Sequence, residues 1–559
     1  MKCSQCGFEN GEQGKFCGKC GASMNQEKNE VIEIQIEVEE EQTNSEDDVV
    51  IEDDDSIKDQ NEVENNEPVG NENVVEEEND ESTELINVKE ETKKSNKVNL
   101  KLLLGIGGGI LAVLILVFAG SKVVTSTGAS SKYVDLSNAP FVYAADGDHY
   151  IMPIGEEAIE IKGTVDYVRT KNTKDYYIST QEGKLYHYQL GNEDIEKIDK
   201  DVLTFRISED GKTVVYETQD DNDLYLYQNN DVELIEKDIW SFEMSANGKY
   251  IAYISEYEVS EGGELHLYKV GKEEEELENE ASEVAAVFDD GSIYYLDEDY
   301  RLYYQKGDDK QRIAKDVYDY AFSTKGDKVA WINDDDELYI KVGDREEKID
   351  KGVAYIYTAY WAAHSNRLDL IYNKDYEKDY LLIEEDEKGK KLSEDYMSYD
   401  YASFEPMYAI ADDEDLSVYH RKGKEWQEEK IENEEDIQYV LVSAYGDYVV
   451  FADDDNQLFY WKSGEPRLID KDFDYNTGQI WMDKDSHTII YTDEDKTLKV
   501  SKKGKEGTEI IDDVQDFYVR NLKTILVADE DGDLMQVNLK GDTEGVEDDF
   551  EGFYYIGTW

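Results

Sequence analysis

All four cysteines of the chain lie within its first 20 residues, and they form its sharpest chemical motif. They make two C-x₂-C pairs with ten residues between the pairs. Each pair presents two thiolates on one tight turn, so two pairs supply the four ligands of a closed tetrahedral site. Such a site suits a structural Zn²⁺ ion and leaves no open position for a catalytic water. The sequence therefore predicts a zinc site made of Cys3, Cys6, Cys17 and Cys20.

Residues 1–25 resemble the short zinc-ribbon module found at the N-termini of many bacterial membrane proteins. Phe8, Asn10 and Phe16 flank the cysteine turns as in that module. The resemblance implies a fold and no particular activity. Because so short a ribbon has almost no apolar core, metal binding would supply its folding energy. A disulfide pair and a redox-active C-x-x-C pair are alternatives, although no βαβ pattern surrounds the cysteines.

An acidic segment follows the cysteines. Residues 26–92 contain 27 acidic residues against three lysines and no aromatic residue. Such a segment cannot bury enough apolar area to offset the entropy lost on ordering. We expect residues 26–99 to be a disordered acidic linker.

Residues 102–120 contain 19 consecutive residues without a polar or charged side chain. A helix of this length spans about 28 Å, close to the thickness of a bilayer core. The sequence predicts a transmembrane helix at 100–121, and a cleaved signal peptide is the alternative. Lysines are denser before the helix than after it, which predicts a cytoplasmic N-terminus and an extracytoplasmic C-terminal part. Gly105 and Gly109 have the spacing at which two such helices pair into a homodimer.

Charge limits the possible partners. The whole chain carries a net charge of −76, and residues 122–559 alone carry −57. Nucleic acid is therefore excluded as an expected partner, because phosphate binding needs a basic surface. The 43 tyrosines argue that the C-terminal part is packed and not disordered.

The C-terminal part, residues 138–559, repeats one pattern of alternating apolar residues, an Asp-rich turn and a Leu-Tyr-x-Tyr-like segment. The spacing between repeats runs from 36 to 42 residues. A period near 40 with four short strands per unit indicates a β-propeller blade. The aligned positions are His149, Leu185, Leu224, Leu265, Leu302, Leu338, Tyr380, Leu416, Leu458, Leu498 and Leu534. The fold class is therefore all-β, with about eleven four-stranded units in one large ring or in two rings.

Short turns in several units read Ser-x-x-Gly-Lys or a variant, as at residues 208–212, 245–249 and 323–327. Asp-Gly and Asn-Gly supply the positive φ angles that a tight hairpin needs. These segments resemble the WD-like repeats of TolB-type β-propellers, although this chain lacks their proline. The segment Phe141–Ala144 precedes the first unit, and the last unit is one strand short. We expect the two ends of the array to complete one blade together.

Asp-rich turns recur along the array, and Ca²⁺ binding is one interpretation of them. Asp and Asn are also simply favoured in turns, and no full EF-hand pattern is present. The clusters occupy residues 220–223, 334–336, 453–456, 493–495 and 529–533. The six histidines occur singly, and His187 and His266 are expected on strand faces. No motif of a catalytic site is found, so no catalytic residue is predicted.

These observations predict a single-pass bacterial membrane protein. Its extracytoplasmic propeller would bind or sense an envelope or extracellular ligand, or act as a scaffold. Its zinc ribbon would bind a cytosolic protein. The alternative is a surface hydrolase or lyase acting on envelope polysaccharide or peptide, although the sequence favours a protein that is not an enzyme.

Overall fold

The computed structural model describes residues 134–558 except 260, 273, 360–361, 363–365, 375–377, 383–389, 392–397 and 423–424. The predicted zinc ligands, the acidic linker and the membrane helix lie outside these residues. Within the described part, no helix is long and apolar enough to cross a membrane. A 3₁₀ helix, Leu136–Asn138, precedes a series of β-strands.

The described strands form ten sheets, numbered here in chain order. Sheet 1 contains β1 (Phe141–Ala145), β2 (Asp148–Met152), β3 (Ile159–Ile161) and, from the other end of the array, β43 (Phe550–Phe553). Sheet 2 contains β4 (Val165–Arg169), β5 (Asp175–Thr180), β6 (Leu185–Gln189), β7 (Glu196–Asp199) and β44 (Ile556–Gly557). Sheet 3 contains β8 (Val202–Ile207), β9 (Thr213–Thr218), β10 (Leu224–Gln228) and β11 (Asp231–Glu236).

Sheet 4 has seven strands, because the long β15 serves two successive four-stranded units. It contains β12 (Ser241–Met244), β13 (Tyr250–Glu258), β14 (Gly262–Lys269), β15 (Glu275–Val287), β16 (Ile293–Asp297), β17 (Leu302–Lys306) and β18 (Asp309–Ala314).

The next three sheets have four strands each. Sheet 5 contains β19 (Val317–Phe322), β20 (Lys328–Asn333), β21 (Glu337–Val342) and β22 (Arg345–Lys351). Sheet 6 contains β23 (Val353–Thr358), β24 (Leu370–Lys374), β25 (Lys378–Leu382) and β26 (Lys390–Lys391). Sheet 7 contains β27 (Ser398–Tyr401), β28 (Met407–Asp412), β29 (Asp415–Lys422) and β30 (Glu425–Glu432).

The last three sheets repeat the arrangement. Sheet 8 contains β31 (Ile437–Val442), β32 (Val449–Asp453), β33 (Leu458–Trp461) and β34 (Arg467–Asp470). Sheet 9 contains β35 (Ile480–Met482), β36 (Thr488–Thr492), β37 (Leu498–Lys502) and β38 (Thr508–Ile511). Sheet 10 contains β39 (Val514–Asn521), β40 (Thr524–Asp529), β41 (Leu534–Val537) and β42 (Thr543–Glu547).

Apolar clusters join the sheets in a closed cycle. Every pair of sheets that are neighbours in sequence shares a buried cluster, and sheet 10 shares one with sheet 1. The second strand of a sheet is buried on both faces, as in β5 and β36, while fourth strands such as β11 are largely exposed. This gradient arises because neighbouring sheets cover both faces of the strands near the centre. The fold is an all-β β-propeller, and the packing forms a single cycle of sheets.

The two ends of the array meet in sheet 1, as expected. Strand β43 pairs antiparallel with β1, and Tyr143 lies opposite Phe553. Three strands from the start of the array and one from its end complete this sheet. Strand β44 then pairs with β4 of sheet 2, so the chain end also bridges to the next sheet.

The repeat in the sequence is offset from the sheets. Each aligned position lies in the third strand of a four-stranded unit, so a repeat that starts there takes its last two strands from the next unit. Thus β10 and β11 belong to sheet 3, whereas β12 and β13 belong to sheet 4. A period alone cannot show where a sheet begins, because every choice of starting strand has the same period.

Candidate functional site

The Asp-rich turns are built around capping hydrogen bonds. In five turns that precede a third strand, the first Asp or Asn accepts a hydrogen bond from the backbone four residues later. These capping residues are Asp297, Asn333, Asp453, Asp493 and Asp529. Side-chain capping of this kind is why Asp and Asn are favoured in turns. The turn role therefore accounts for the first acidic residue of three clusters, those at 453–456, 493–495 and 529–533.

One acidic group resembles a cation site by its donor atoms. Glu435, Asp454 and Asp455 place carboxylate oxygens within 4.8 Å of one another, and all three side chains are exposed. The neighbouring carboxylates, above all Asp455, raise the pKa of Glu435. Exposed acidic side chains gather in this way without an ion, so Ca²⁺ binding stays a prediction.

The histidines named from the sequence lie on third strands. His187 of β6 contacts Asp175 through Nε2 at 3.0 Å, and its ring stacks on Tyr177. The ring of His266 in β14 stacks on Tyr253. Neither histidine belongs to a group that could hold a metal among the described residues. Both act as packed side chains between strands.

The first strands of the sheets approach one another across sheet boundaries. Asp319 of β19 accepts a hydrogen bond from the Ile356 backbone at 2.9 Å, and Asp400 of β27 accepts one from Val442 at 2.7 Å. Such contacts between first strands are expected where sheets converge on the centre of a propeller. Many first strands also contain a bulge after their first residue, which turns one side chain out of the regular alternation.

Sheets 4 and 5 carry a group of four aromatic residues, three of them exposed and Tyr257 half-buried. They are here called the aromatic arc: Trp240, Tyr257, Tyr300 and Tyr318. Trp240 stacks on Tyr257 with ring centroids 4.2 Å apart, and its indole donates a hydrogen bond to the Ser282 carbonyl. Tyr257 interacts with Glu298 and Tyr300. The Tyr300 carbonyl accepts a hydrogen bond from Val317, next to Tyr318. Trp240 and Tyr257 are therefore stacked, and the backbone bond places Tyr300 close to the start of β19, which contains Tyr318.

The arc faces solvent. Trp240 is 54% exposed, Tyr300 63% and Tyr318 41%. On a monomeric protein, a contiguous exposed apolar surface of this kind commonly marks a binding site. Its rings are also held in place, since Tyr318 donates a hydrogen bond to the Val353 carbonyl at 2.7 Å. The arc is therefore a preordered surface.

Tyr300 occupies a special backbone position. The carbonyl at this turn position accepts a backbone hydrogen bond from a residue at or just before the start of the next first strand. Val202 donates in this way to Gly183, and Ile239 to Asn222. Other turns place Gly, Asn, Asp or Lys there with positive φ. Tyr300 has φ of 55° at this position. A bulky residue in left-handed conformation costs about 1–2 kcal/mol, and such strain clusters at functional sites.

A second group of residues, in sheets 2 to 4, is charged and largely buried. Arg206 of β8 forms a two-nitrogen ion pair with the buried Glu243, with the closest atoms 3.0 Å apart. Arg169 lies over the Tyr167 ring at 4.6 Å. Burial raises the pKa of Glu217 to about 7, against the lowering effect of Arg206. Burial, together with Arg169, lowers the pKa of Lys171 to about 8.

Sequence reasoning missed the aromatic arc and this charged group. It assigned the tyrosines of the repeat strands to core packing, and for Tyr253 the structure shows complete burial. A comparison of the turns would have revealed Tyr300, because it replaces the Gly, Asn or Asp found in most of them. Trp240 carries no such signal, since its exposure depends on the neighbouring sheet.

Comparisons with known proteins assign no family to this chain. No family model matches this chain, and no curated protein matches its sequence. Among solved structures, the chain is similar to the β-propeller domain of Cps50 (Swd1) from Myceliophteria thermophila. The identity is 12% and the TM-score 0.27, covering 48% of this chain and 97% of that one.

Proposed function

We propose that the propeller is a binding domain for a basic peptide or protein partner and that the aromatic arc is its docking surface. The observation that carries this proposal is Tyr300, a strained and largely exposed tyrosine at a turn position where most sheets use Gly, Asn or Asp. Backbone strain clusters at functional sites, and the largely exposed Tyr300 ring adds little to the packed core, so the two features together favour a role in binding.

The chemistry of the arc favours a cationic partner. Aromatic faces attract Lys and Arg side chains, and rigid Tyr and Trp rings are typical anchors of protein interfaces. Exposed carboxylates of Glu256, Glu258 and Asp299 lie in the same strands and turns as the arc. The net charge of −57 on residues 122–559 would also steer a basic partner toward the domain.

A selection experiment tests the proposal. A random peptide library is selected on the immobilised full-length protein, and enriched peptides are measured by fluorescence anisotropy. We expect enriched peptides that combine Lys or Arg with apolar residues and bind Tyr300→Asn at least about tenfold more weakly, a loss of about 1.4 kcal/mol. Asn suits the left-handed backbone, so this variant should fold at least as stably as the wild type.

Tyr445→Ala is the matched control, since Tyr445 is an exposed aromatic residue in a turn of sheet 8, outside the arc. It should bind the peptides as the wild type does. Enriched peptides without basic residues, or equal binding to Tyr300→Asn, would contradict the proposal.

The N-terminal part of the proposal rests on the sequence alone. A ribbon with zinc held by Cys3, Cys6, Cys17 and Cys20 binds a cytosolic protein, and helix 102–120 anchors the chain in the bilayer. The propeller then lies outside the cell membrane, joined to the ribbon by the helix and the acidic linker. Protease added to intact cells should cleave the propeller and spare the ribbon, and Cys17→Ser should lower the zinc content of the purified protein. Cleavage confined to the ribbon side would reverse this topology.

The same proposal takes the cycle of sheets as one ring with eleven blades. Each sheet contributes one aligned position of the repeat, and sheet 4 contributes two, Leu265 in β14 and Leu302 in β17. The hydrolase or lyase alternative stays a prediction.

A further inference from the structure

Turns of sheets 8 and 9 line an open cavity of about 310 Å³, which lies in different sheets from the aromatic arc. Its charged lining is Lys462, Arg467, Lys503 and Glu465, three cations against one carboxylate. This local excess of positive charge stands out in a region whose net charge is −57. Since most of the surface repels anions, a concave basic site needs a specific explanation.

The cations come from turns of two sheets. Lys462 and Ser463 follow β33, Arg467 begins β34, and Lys503 follows β37. The Arg467 guanidinium donates a hydrogen bond to the Lys503 carbonyl at 3.1 Å, which ties the two turns together. This contact uses one of the five guanidinium N–H groups, and the other four can donate to a ligand. All three cationic side chains are exposed to solvent and accessible to a ligand.

The wall of the cavity is preordered by His487. Its Nδ1 lies 2.8 Å from the Tyr460 hydroxyl, and its Nε2 lies 2.8 Å from the Asp447 carboxylate. The Lys462 ammonium lies 3.3 Å from the same Nε2. Asp447 also lies 3.8 Å from the Lys462 ammonium, at the limit of an ion pair. The carboxylate therefore orients His487 and neutralises Lys462 only in part.

We propose that this cavity binds a phosphate group, either as free phosphate or as the phosphate monoester of a small molecule. Arg467 would supply paired N–H donors, which match the oxygens of a phosphate, and Lys462 and Lys503 would add charge-assisted hydrogen bonds. The Ser463 hydroxyl supplies a neutral donor. The volume suits a ligand of the size of a sugar phosphate.

Isothermal titration calorimetry on the full-length protein tests this with glucose 6-phosphate, inorganic phosphate and glucose. We expect the two phosphate ligands to bind and glucose to show no binding. Arg467→Gln and Lys503→Gln should each weaken phosphate binding at least about tenfold, because each removes a charge-assisted contact. If both inorganic phosphate and glucose 6-phosphate bind, the cavity recognises the phosphate group itself. Binding of glucose 6-phosphate alone identifies a monoester ligand.

Lys523→Gln is the control, since Lys523 is an exposed lysine in a turn of sheet 10, away from the cavity. Thermal unfolding confirms that each variant is folded. The proposal fails if neither phosphate ligand binds at concentrations on the order of 10 mM. It also fails if glucose binds with the same affinity as glucose 6-phosphate. Phosphate binding by the two cavity variants with the same affinity as by the control would contradict it too. The Tyr300→Asn variant should bind phosphate normally, so this test is separate from that of the docking surface.

Discussion

At the scale of single residues, the tyrosines act as hydrogen-bonding core residues. Tyr216 of sheet 3 donates to Asp199 of sheet 2, and Tyr491 of sheet 9 donates to Asp470 of sheet 8, each at 2.6 Å. Burial raises the pKa of both phenols. A buried ring contributes apolar area while its hydroxyl pairs with a carboxylate of the neighbouring sheet. This explains how so acidic a chain packs a core that is rich in tyrosine.

Burial of Glu217 predicts a pH-dependent stability. Burial raises its pKa to about 7 in the folded state, whereas the ordinary value is 4.5. The folded state then holds a proton that the unfolded state has lost, so this group lowers the free energy of unfolding as pH rises from about 4.5 through 7. Glu217→Gln should therefore melt at a higher temperature than the wild type at pH 8.

This difference in melting temperature should disappear below about pH 4.5, where the glutamate is protonated in both states. Melting curves by circular dichroism across this range provide the measurement. Glu346→Gln, an exposed substitution in β22, serves as the control. An equal gain in melting temperature at all pH values would show that the carboxylate charge is not the cause.

At the scale of elements, the turns between first and second strands join neighbouring sheets. Ser208, Ser245, Ser323 and Ser443 each accept a backbone hydrogen bond from a residue five positions later. A glycine with positive φ follows the serine by three residues in each turn. The Tyr294 hydroxyl of sheet 4 donates to the Gly326 carbonyl of sheet 5 at 3.0 Å. The expected hairpin turns are confirmed, and they also form contacts between sheets.

Gly326 should tolerate no side chain. A Cβ at this position would lie 2.6 Å from the Phe288 ring, and φ is +69°. Gly326→Ala should lower the free energy of unfolding by about 3 kcal/mol, because left-handed strain and overpacking both contribute.

Gly343→Ala separates the two contributions. Gly343 has φ of +58°, but a Cβ there would meet nothing within 4 Å. This variant should lose only about 1 kcal/mol, the cost of the strain alone. Chemical denaturation measures both losses. Equal losses in the free energy of unfolding would mean that the Phe288 ring moves aside without a measurable loss of stability.

At the scale of the whole molecule, the pairing of the two ends of the array closes the cycle of sheets and stabilises it. Strand β43 covers the edge of β1, and Phe553 packs in the cluster between sheets 1 and 10. Arg520 of sheet 10 also donates to the Pro140 carbonyl at 2.6 Å. Closure in this way gives sheet 1 four strands, and β1 is no longer an edge strand.

Removal of residues 549–559 should open the cycle. Sheet 1 would lose its first strand, and the exposed edge of β1 would pair with other copies. We expect a lower melting temperature and self-association, measured by circular dichroism and by light scattering after size-exclusion chromatography. A truncation of residues 558–559 keeps β43 and β44 and should behave like the full chain. A stable monomer without residues 549–559 would show that closure is dispensable.

Local features of the chain were predictable from its sequence. The tight turns expected at 208–212, 245–249 and 323–327 are observed between first and second strands, because turn residues act over only a few positions. The meeting of β1 with the C-terminal end was also predictable, because one strand was missing there. Only the tertiary structure decided which strands share a sheet, that the sheets close in one cycle, and that Trp240 stacks on Tyr257. The basic cavity likewise joins residues about 40 positions apart, from Lys462 to Lys503. Such groupings depend on how whole sheets pack against one another. The pattern of residues within a strand or turn does not determine that packing.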